Sequence, residues 1–232
     1  MYLLKDILFL IKNQSKVEII LFYLKNKLFS IFYKNTKKKI KRQNQLFLKN
    51  KKITNDYFSM NAFYFYQNLK KIINFRNYLE IGSYEGNSAM FVSRNFENVQ
   101  VYCVDTWSGS AEHKNQNFNN LEKNFDENTE DFFNIKKNKI CSDSFFEKNS
   151  KKFDCIYVDG NHYFDQVYKD CVNSLNCLED QGLLIFDDYT WKYFKNPREN
   201  PCFAINQFIK NYGKKLKIIE VSNSQIFVKK IN

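Results

Sequence analysis

Glycine, proline and histidine are scarce in this 232-residue chain, which contains six, two and two of them respectively. Six cysteines form no Cys-x-x-Cys pair, so the chain lacks the ligand pattern of a structural zinc site, and reduced thiols are expected. No apolar stretch reaches the roughly 18 residues that a membrane-spanning helix needs. Because no cleavable signal is evident either, a cytoplasmic location is expected.

Positive charge is abundant but unevenly distributed. The formal net charge is +11, yet residues 1–52 hold 14 Lys and Arg against 2 Asp and Glu, whereas residues 53–232 hold 22 against 23. The basic balance therefore describes a terminal segment and not the surroundings of an active site. We predict a basic N-terminal extension over 1–52 and a single catalytic domain over 53–232.

The N-terminal extension carries a helical apolar stripe followed directly by basic residues. The stripe comprises positions 17, 20, 21, 24, 28, 31 and 32, and the basic cluster spans 37–42. An amphipathic helix of this kind can lie at an anionic membrane surface, which predicts peripheral contact through residues 1–42. The alternative is a helix packed on the domain or on a partner, with the lysines solvated.

Strand and helix patterns alternate from residue 57 onward, as in a parallel sheet covered by helices. We predict an α/β fold with a doubly wound, mostly parallel sheet and a C-terminal antiparallel hairpin. The predicted strands are 77–82, 99–105, 138–141, 154–159, 182–187, 216–221 and 225–229. The predicted helices are 57–73, 86–95, one within 112–137, 144–150, 163–178 and 202–212.

Two of the six glycines, Gly82 and Gly86, follow the first predicted strand. Glycine is favoured where a backbone turns sharply and approaches a ligand. The spacing lacks the middle glycine that admits a pyrophosphate in dinucleotide-binding loops. Glu80 could instead accept hydrogen bonds from an ammonium group, and S-adenosylmethionine carries an amino group but no phosphate. An ordinary strand-to-helix turn is the alternative.

The segment 80–89, EIGSYEGNSA, resembles motif I of class I S-adenosylmethionine-dependent methyltransferases. The resemblance is strongest to catechol O-methyltransferase-like enzymes and to macrocin- or cephalosporin-type small-molecule O-methyltransferases, and it covers about residues 57–232. It implies a seven-stranded Rossmann-like sheet that binds S-adenosylmethionine. The cofactor contacts that it implies in this loop are Glu80, Gly82, Ser83, Tyr84, Gly86 and Ser88.

Further cofactor contacts are expected where the second and third strands end. The resemblance implies that Asp105 binds the ribose hydroxyls, with Thr106 and Trp107 beside it, the indole stacking on adenine or forming a wall of the pocket. By their order along the chain, Asp143 and Ser144 correspond to the segment near the adenine amino group. Helix capping is the alternative for Asp105 and for this later pair.

Three carboxylates, Asp159, Asp187 and Asp188, follow the fourth and fifth strands. Clustered carboxylates repel one another, and a hard divalent cation such as Mg²⁺ neutralises them. The resemblance implies that these three aspartates bind the metal and that Asp159 also lies at the cofactor. The alternative is that one or two of them only cap helices.

His162 is the candidate general base, and Asp159 is the second predicted catalytic residue. In catechol-type relatives a lysine stands three residues after the first metal-binding aspartate, and His162 has that offset here. An imidazole can accept a proton at neutral pH. Some sugar-modifying relatives have Asp-x-Asp, but Asn161 replaces the second aspartate. Capping of the next helix is the alternative for His162.

These features predict a metal-assisted O-methyltransferase acting on a hydroxyl of a small molecule or a sugar. The alternative function is an S-adenosylmethionine-binding module that a basic tail tethers to a membrane or to nucleic acid. A nucleic-acid methyltransferase is disfavoured because the domain is nearly neutral and lacks an Asn/Asp-Pro-Pro-Tyr/Phe signature. Loops near 107–135 and 189–201 are expected to line the acceptor pocket; the sequence indicates neither the acceptor nor the oligomeric state.

Overall fold

A computed structural model describes residues 2–109, 119–222 and 224–231 of the chain. Seven strands within this part form one sheet in the order β3-β2-β1-β4-β5-β7-β6. The pairs from β3 through β5 are parallel, whereas β7 is antiparallel to both β5 and β6. The strands are β1 Asn77–Ile81, β2 Gln100–Asp105, β3 Ile135–Lys139, β4 Phe153–Val158, β5 Leu178–Phe186, β6 Leu216–Val221 and β7 Ile226–Lys230. The predicted mostly parallel sheet with a C-terminal hairpin is confirmed.

Helices cover both faces of this sheet, and the strands are therefore buried on both sides. Along β1, Tyr78 belongs to one hydrophobic cluster, whereas Leu79 and Ile81 belong to the other. This alternation follows from the twofold periodicity of a strand. The helices are α1 Tyr2–Lys12, α2 Val17–Phe29, α3 Lys34–Leu48, α4 Ala62–Leu69, α5 Asn87–Asn95, α6 Leu121–Thr129, α7 Ser142–Lys148, α8 Phe164–Cys177 and α9 Pro201–Tyr212.

The order of the strands creates a crevice at the carboxyl ends of β1 and β4. Chain connections from β1 lead to β2 on one side, whereas β4 and β5 continue the sheet on the other side. Doubly wound sheets bind ligands at such a switch point. The residues that follow β1, β2, β4 and β5 therefore form the candidate site.

Among the predicted elements whose bounds differ in the structure are one helix and one edge strand. The helix predicted over 57–73 is only α4, since the Asp56 carboxylate accepts a hydrogen bond from the Ser59 amide at 2.9 Å and holds a turn before it. The strand predicted over 138–141 is β3, which pairs in register from Ile135 to Lys139 with β2. A lysine-rich edge strand has little apolar alternation, so its limits could not be predicted from the sequence pattern.

The N-terminal helices pack on the rest of the chain. Leu10, Ile19 and Tyr23 are buried in the same cluster as residues of α9 and β6. In α3 the buried Asn44 side chain donates hydrogen bonds to Ser59 and Asn87, both at 2.9 Å. Contacts thus cross the predicted boundary at residue 52, which itself stays a prediction. Among the described residues, no helix has both the length and the apolar character needed to span a bilayer.

Candidate active site

A cleft with a volume of about 720 Å³ lies at the switch point. Most of the predicted site residues line it, and they come from the ends of β1, β2, β4 and β5 and the starts of α5 and α7. These are Gly82, Ser83, Tyr84, Ser88, Asp105, Thr106, Asp143, Asp159, His162, Asp187 and Asp188. Four predicted residues are not in the lining, namely Glu80, Gly86, Trp107 and Ser144.

The glycine loop is shaped by two backbone positions with positive φ. Gly82 has φ +86°, and a Cβ there would lie 2.0 Å from the carbonyl oxygen of Asp159. Gly86 has φ +84° and precedes α5, where a Cβ would lie 3.1 Å from the Thr129 side chain. Both positions favour glycine for conformation, and Gly82 requires it for space. The loop therefore packs directly against the end of β4.

Asp105 holds this loop in place. Its Oδ2 accepts hydrogen bonds from the backbone amides of Ser83 and Tyr84 at 2.8 and 2.9 Å, and its Oδ1 accepts one from Trp107 at 2.7 Å. A carboxylate has about four lone-pair sites. Asp105 also lines the cleft, so further lone pairs can serve the predicted ribose hydroxyls.

Trp107 supports the loop from behind. Its indole Nε1 donates a hydrogen bond to the carbonyl of Tyr84 at 2.8 Å, and its ring packs on Phe125 with centroids 4.7 Å apart. The side chain is only 5% exposed and is not part of the cleft lining. In this structure the indole packs behind the loop and supports it. This position differs from both predicted ones, on the adenine and in the wall of the pocket.

Glu80 is completely buried beneath the loop. Its Oε2 accepts a hydrogen bond from the Tyr78 hydroxyl at 3.0 Å. Burial raises its pKa to about 7, although the neighbouring Ser88, Tyr78 and Ser83 hydroxyls partly offset that effect. This acid therefore lies under the loop backbone and is not part of the cleft surface.

A second polar group lies at the start of α7. Asp143 forms an ion pair with Lys169 at 2.6 Å, and both the Lys169 ammonium and Gln166 lower its pKa. Behind it, burial raises the pKa of Asp170 to about 6. Gln166 and Asp170 also line the cleft, and sequence reasoning missed both. Their spacing of four along a helix was the available signal.

Asp159, His162 and Asp188 meet where β4 and β5 end. His162 Nε2 lies 2.8 Å from Asp188 Oδ2 and 4.0 Å from Asp159 Oδ1. One potential ligand atom from each of the three residues falls within 4.8 Å of the others. Asp188 also has φ +52°, a backbone conformation that costs energy away from glycine. In this conformation its carboxylate contacts His162.

Asp159 and Asp187 share one phenol. The Tyr157 hydroxyl lies 2.7 Å from Asp159 Oδ2 and also contacts Asp187 Oδ2. A phenol has one proton to donate, so the second contact requires either a protonated carboxyl group or a compensating cation. Burial and the neighbouring Asp187 raise the pKa of Asp159 well above its usual range. Burial and Asp188 raise the pKa of Asp187 to about 6.

Asp187 is the most strongly bound of the three acids. Its Oδ2 also accepts hydrogen bonds from Gln225 at 2.8 Å and Asn61 at 3.4 Å, and its Oδ1 accepts one from the amide of Asp188 at 2.8 Å. It lines the cleft beside the group formed by Asp159, His162 and Asp188. Gln225 and Asn61 were missed because they come from the hairpin turn and the segment before α4.

An aromatic wall stands beside His162. The Trp191 ring lies 4.7 Å from the His162 ring, and it stacks on Tyr193 at 5.0 Å with an interplanar angle of 4°. Trp191 lines the cleft, as do Gly109 and Leu121 from the other predicted acceptor loop. The part of that loop from 110 to 118, including His113, lies outside the described residues.

Known proteins resemble this chain in sequence family and in fold. Residues 79–189 match the family described as a methyltransferase domain. A candidate caffeoyl-CoA O-methyltransferase from Staphylococcus aureus is 16% identical, with a TM-score of 0.58, covering 89% of this chain and 99% of its own. An O-methyltransferase from Bacillus cereus, in complex with SAH, is 15% identical with a TM-score of 0.56 and covers 92% and 100%.

A third structure is the MycE methyltransferase of the mycinamycin pathway, in complex with Mg, SAH and mycinamycin VI. It is 15% identical with a TM-score of 0.55, and the match covers 77% of this chain and 51% of MycE. No curated protein sequence matches the chain. The family match spans the glycine loop and both acidic strand ends, and the whole sheet has the same fold as these enzymes. On this evidence residues 79–189 match a methyltransferase domain, and the chain as a whole has the fold of these methyltransferases.

Proposed function

We propose that the protein is a metal-assisted O-methyltransferase that acts on a hydroxyl group of a small molecule or sugar. The observation that carries this proposal is the position of His162 and three carboxylates in the same cleft as the glycine loop. A methyl donor in the loop and an acceptor at the carboxylates would then meet within one enclosed space. Holding two reactants in this way supplies a large part of catalysis.

The donor set fits a hard divalent cation. Asp159 and Asp188 offer carboxylate oxygens, the ligands that Mg²⁺ prefers, and a cation nearby is one of the two ways in which Asp159 and Asp187 can share a phenol. We assign Asp159 and Asp188 as ligands and Asp187 as the acid that positions them. A bound Mg²⁺ supplies charge that lowers the pKa of an acceptor hydroxyl.

His162 is the residue that would receive the hydroxyl proton. Its contact with Asp188 at 2.8 Å orients the imidazole, and a carboxylate partner increases the basicity of a histidine. The Trp191 ring lies against the same imidazole. An acceptor ring, either aromatic or sugar, could pack on that indole with its hydroxyl directed at His162.

Calorimetric titration tests the cofactor half of the proposal. We expect S-adenosylmethionine and S-adenosylhomocysteine to bind, and NAD not to bind, because the loop lacks the glycine that admits a pyrophosphate. Asp105→Ala should weaken both sulfur-containing ligands at least about tenfold, since it removes the group that holds the loop amides. Binding of NAD in preference to these ligands would sink the assignment.

Release of S-adenosylhomocysteine over a panel of catechol and sugar acceptors tests the metal half. We expect EDTA and Asp188→Asn each to lower the rate at least about a hundredfold, and Mg²⁺ to restore it only after EDTA. Asp131→Asn is the matched control, because that side chain is 79% exposed. Full activity in EDTA would show that the transfer needs no metal. Full binding without any turnover would favour a binding module.

His162→Gln tests the base. It preserves a polar side chain of similar reach but cannot accept the proton as an imidazole does. We expect kcat to fall at least about a hundredfold while the affinity for S-adenosylmethionine stays the same. We also expect the acidic limb of the pH profile to disappear. An unchanged pH profile would show that another group removes the proton.

A further inference from the structure

The outward side of α1 carries an apolar stripe. Leu4, Leu8 and Ile11 follow one another at helical spacing and are 63%, 48% and 55% exposed. The opposite side, with Leu10, is buried in the core. Exposed leucines are common singly, but three on one face of an 11-residue helix are an organised surface.

The next helix repeats the arrangement. In α2, Val17, Leu21 and Leu28 lie on one face and are 72%, 59% and 69% exposed, whereas Ile19 and Tyr23 on the other side are buried. The turn after this helix adds further exposed apolar side chains, which are Phe29, Ile31, Phe32 and Tyr33. Much of the stripe seen in the sequence therefore faces away from the core.

The two helices are consecutive in the chain and pack on the same core cluster. A turn at residues 13–16 joins them, and the Tyr23 hydroxyl donates a hydrogen bond to Asp6 Oδ2 at 2.6 Å. Both helices bury their inner faces in one core cluster, with α9 and β6. Their outer faces must then point away from the same wall of the domain. We call the exposed apolar residues of α1 and α2, with those at 29–33, the outer face.

Positive charge accompanies this face. Lys5, Lys12 and Lys25 lie within the two helices and are exposed, and the basic helix α3 follows at once. Residues 1–33, which include α1, α2 and the turn after them, carry five Lys against Asp6 and Glu18. Two copies of a surface with this net positive charge would repel each other in a symmetric dimer. Anionic headgroups complement it, while the apolar side chains can enter the boundary of the acyl chains.

We propose that the outer face docks the protein on an anionic phospholipid bilayer. The two helices lie in the plane of the interface, with leucines and phenylalanines directed into the lipid and lysines at the headgroups. The same unit touches the acceptor loop, because Asp6 pairs with Lys192 at 2.5 Å next to Trp191. The proposal concerns the surface alone and does not depend on methyl transfer.

Co-sedimentation of the full chain with vesicles tests the proposal. We expect binding to vesicles that contain phosphatidylglycerol, little binding to pure phosphatidylcholine, and loss of binding at about 1 M salt, where the Debye length is about 3 Å. Leu21→Gln with Leu28→Gln should weaken binding about tenfold or more. Lys12→Gln with Lys25→Gln should weaken it about 30-fold, at the contribution expected for a lysine near such a surface.

Matched variants separate this surface from a general effect. Ile73 and Phe133 are 86% and 98% exposed and precede β1 and β3, so Ile73→Gln with Phe133→Gln should leave vesicle binding unchanged. Lys70→Gln with Lys148→Gln removes equal charge from exposed positions of the domain and should also have no effect. Equal losses in these controls would overturn the proposal.

Light scattering on the same samples identifies a competing occupant. If the chain binds no vesicles but forms a dimer that the Leu21 and Leu28 substitutions dissociate, the outer face is a contact between two copies and the proposal is wrong. Thermal unfolding of each variant shows whether it is folded. The result is separable from the proposed reaction, because binding of S-adenosylmethionine should be equal in all these variants.

Discussion

At the scale of a single residue, Glu80 makes stability depend on pH. Its ordinary pKa of 4.5 rises to about 7 in the folded chain because of burial. Below pH 4.5 the acid is protonated in both states, and between 4.5 and 7 only the unfolded state releases the proton. Stability therefore falls as the pH rises through this window, by about 3 kcal/mol in total. Glu80→Gln should remove that loss.

Urea unfolding at pH 4 to 8 measures this effect. The glutamine variant should match the wild type at the acid end and exceed its stability at pH 8, since the amide can still accept the Tyr78 hydrogen bond. Glu97→Gln is the control, because Glu97 lies in the turn between α5 and β2. A Glu80→Gln variant that is less stable than wild type at pH 8 would mean that the carboxylate is held charged.

Gly82 couples the cofactor loop to the acidic group. A Cβ would lie 2.0 Å from the backbone oxygen of Asp159, so Gly82→Ala must push the loop away from β4. We expect a destabilisation of about 3 kcal/mol or more and at least a tenfold loss of affinity for S-adenosylmethionine. Gly213→Ala is the control, because its backbone is right-handed and its Cβ meets only a flexible lysine end. Unfolding and calorimetry compare the two.

At the scale of elements, the sequence predicted what depends on local pattern. The buried strands β1, β2, β4 and the hairpin were predicted to within about two residues, since apolar runs mark strands that are covered on both faces. The start of β5 was predicted four residues too far along the chain, because residues 179–182 near its amino end have no apolar side chains. Edge strand β3 has lysines in place of an apolar pattern.

The candidate site, like the fold, could be predicted from the sequence only in part. Acids that end strands could be placed from topology alone, because carboxyl ends of parallel strands meet. Which of them contact each other could not, since that depends on register and side-chain direction. Trp107 turns away from the cleft, and Asp187 is bound by Gln225 from a distant turn. Such contacts between residues far apart in sequence leave no local signal.

Side-chain hydrogen bonds connect helix α3 to the helix that follows the cofactor loop. Asn44 contacts Asn87 at the start of α5, and its Oδ1 accepts a hydrogen bond from Arg94 at 2.7 Å. Asn44→Ala would leave the buried Asn87 side chain and the Arg94 guanidinium without that partner, so we expect a loss of about 3 kcal/mol in urea unfolding and weaker binding of S-adenosylmethionine. Gln43→Ala, at an exposed neighbouring position, should change stability by less than about 0.5 kcal/mol. Equal effects would contradict the coupling.

At the scale of the whole molecule, the excess positive charge and the clustered acids lie in different parts of the chain. Basic residues dominate 1–52, whereas residues 53–232 are nearly neutral and bring Asp159, Asp187 and Asp188 together at the carboxyl ends of β4 and β5. The sheet order places that edge at the switch point, and the N-terminal helices lie against α9 and β6. The proposed surface for an anionic bilayer and the proposed cation site thus draw on different parts of the sequence.

A cation that occupies the cleft should stabilise the entire fold. A ligand at a hundred times its Kd stabilises a protein by about 2.7 kcal/mol, which for a chain of this size raises Tm by about 5 to 10 °C. We expect this shift with saturating Mg²⁺ in the wild type and in Asp131→Asn. We expect none in Asp159→Asn or Asp188→Asn, although both should be more stable than wild type without metal because they relieve repulsion among clustered acids. An equal shift in all four proteins would place Mg²⁺ elsewhere on the molecule.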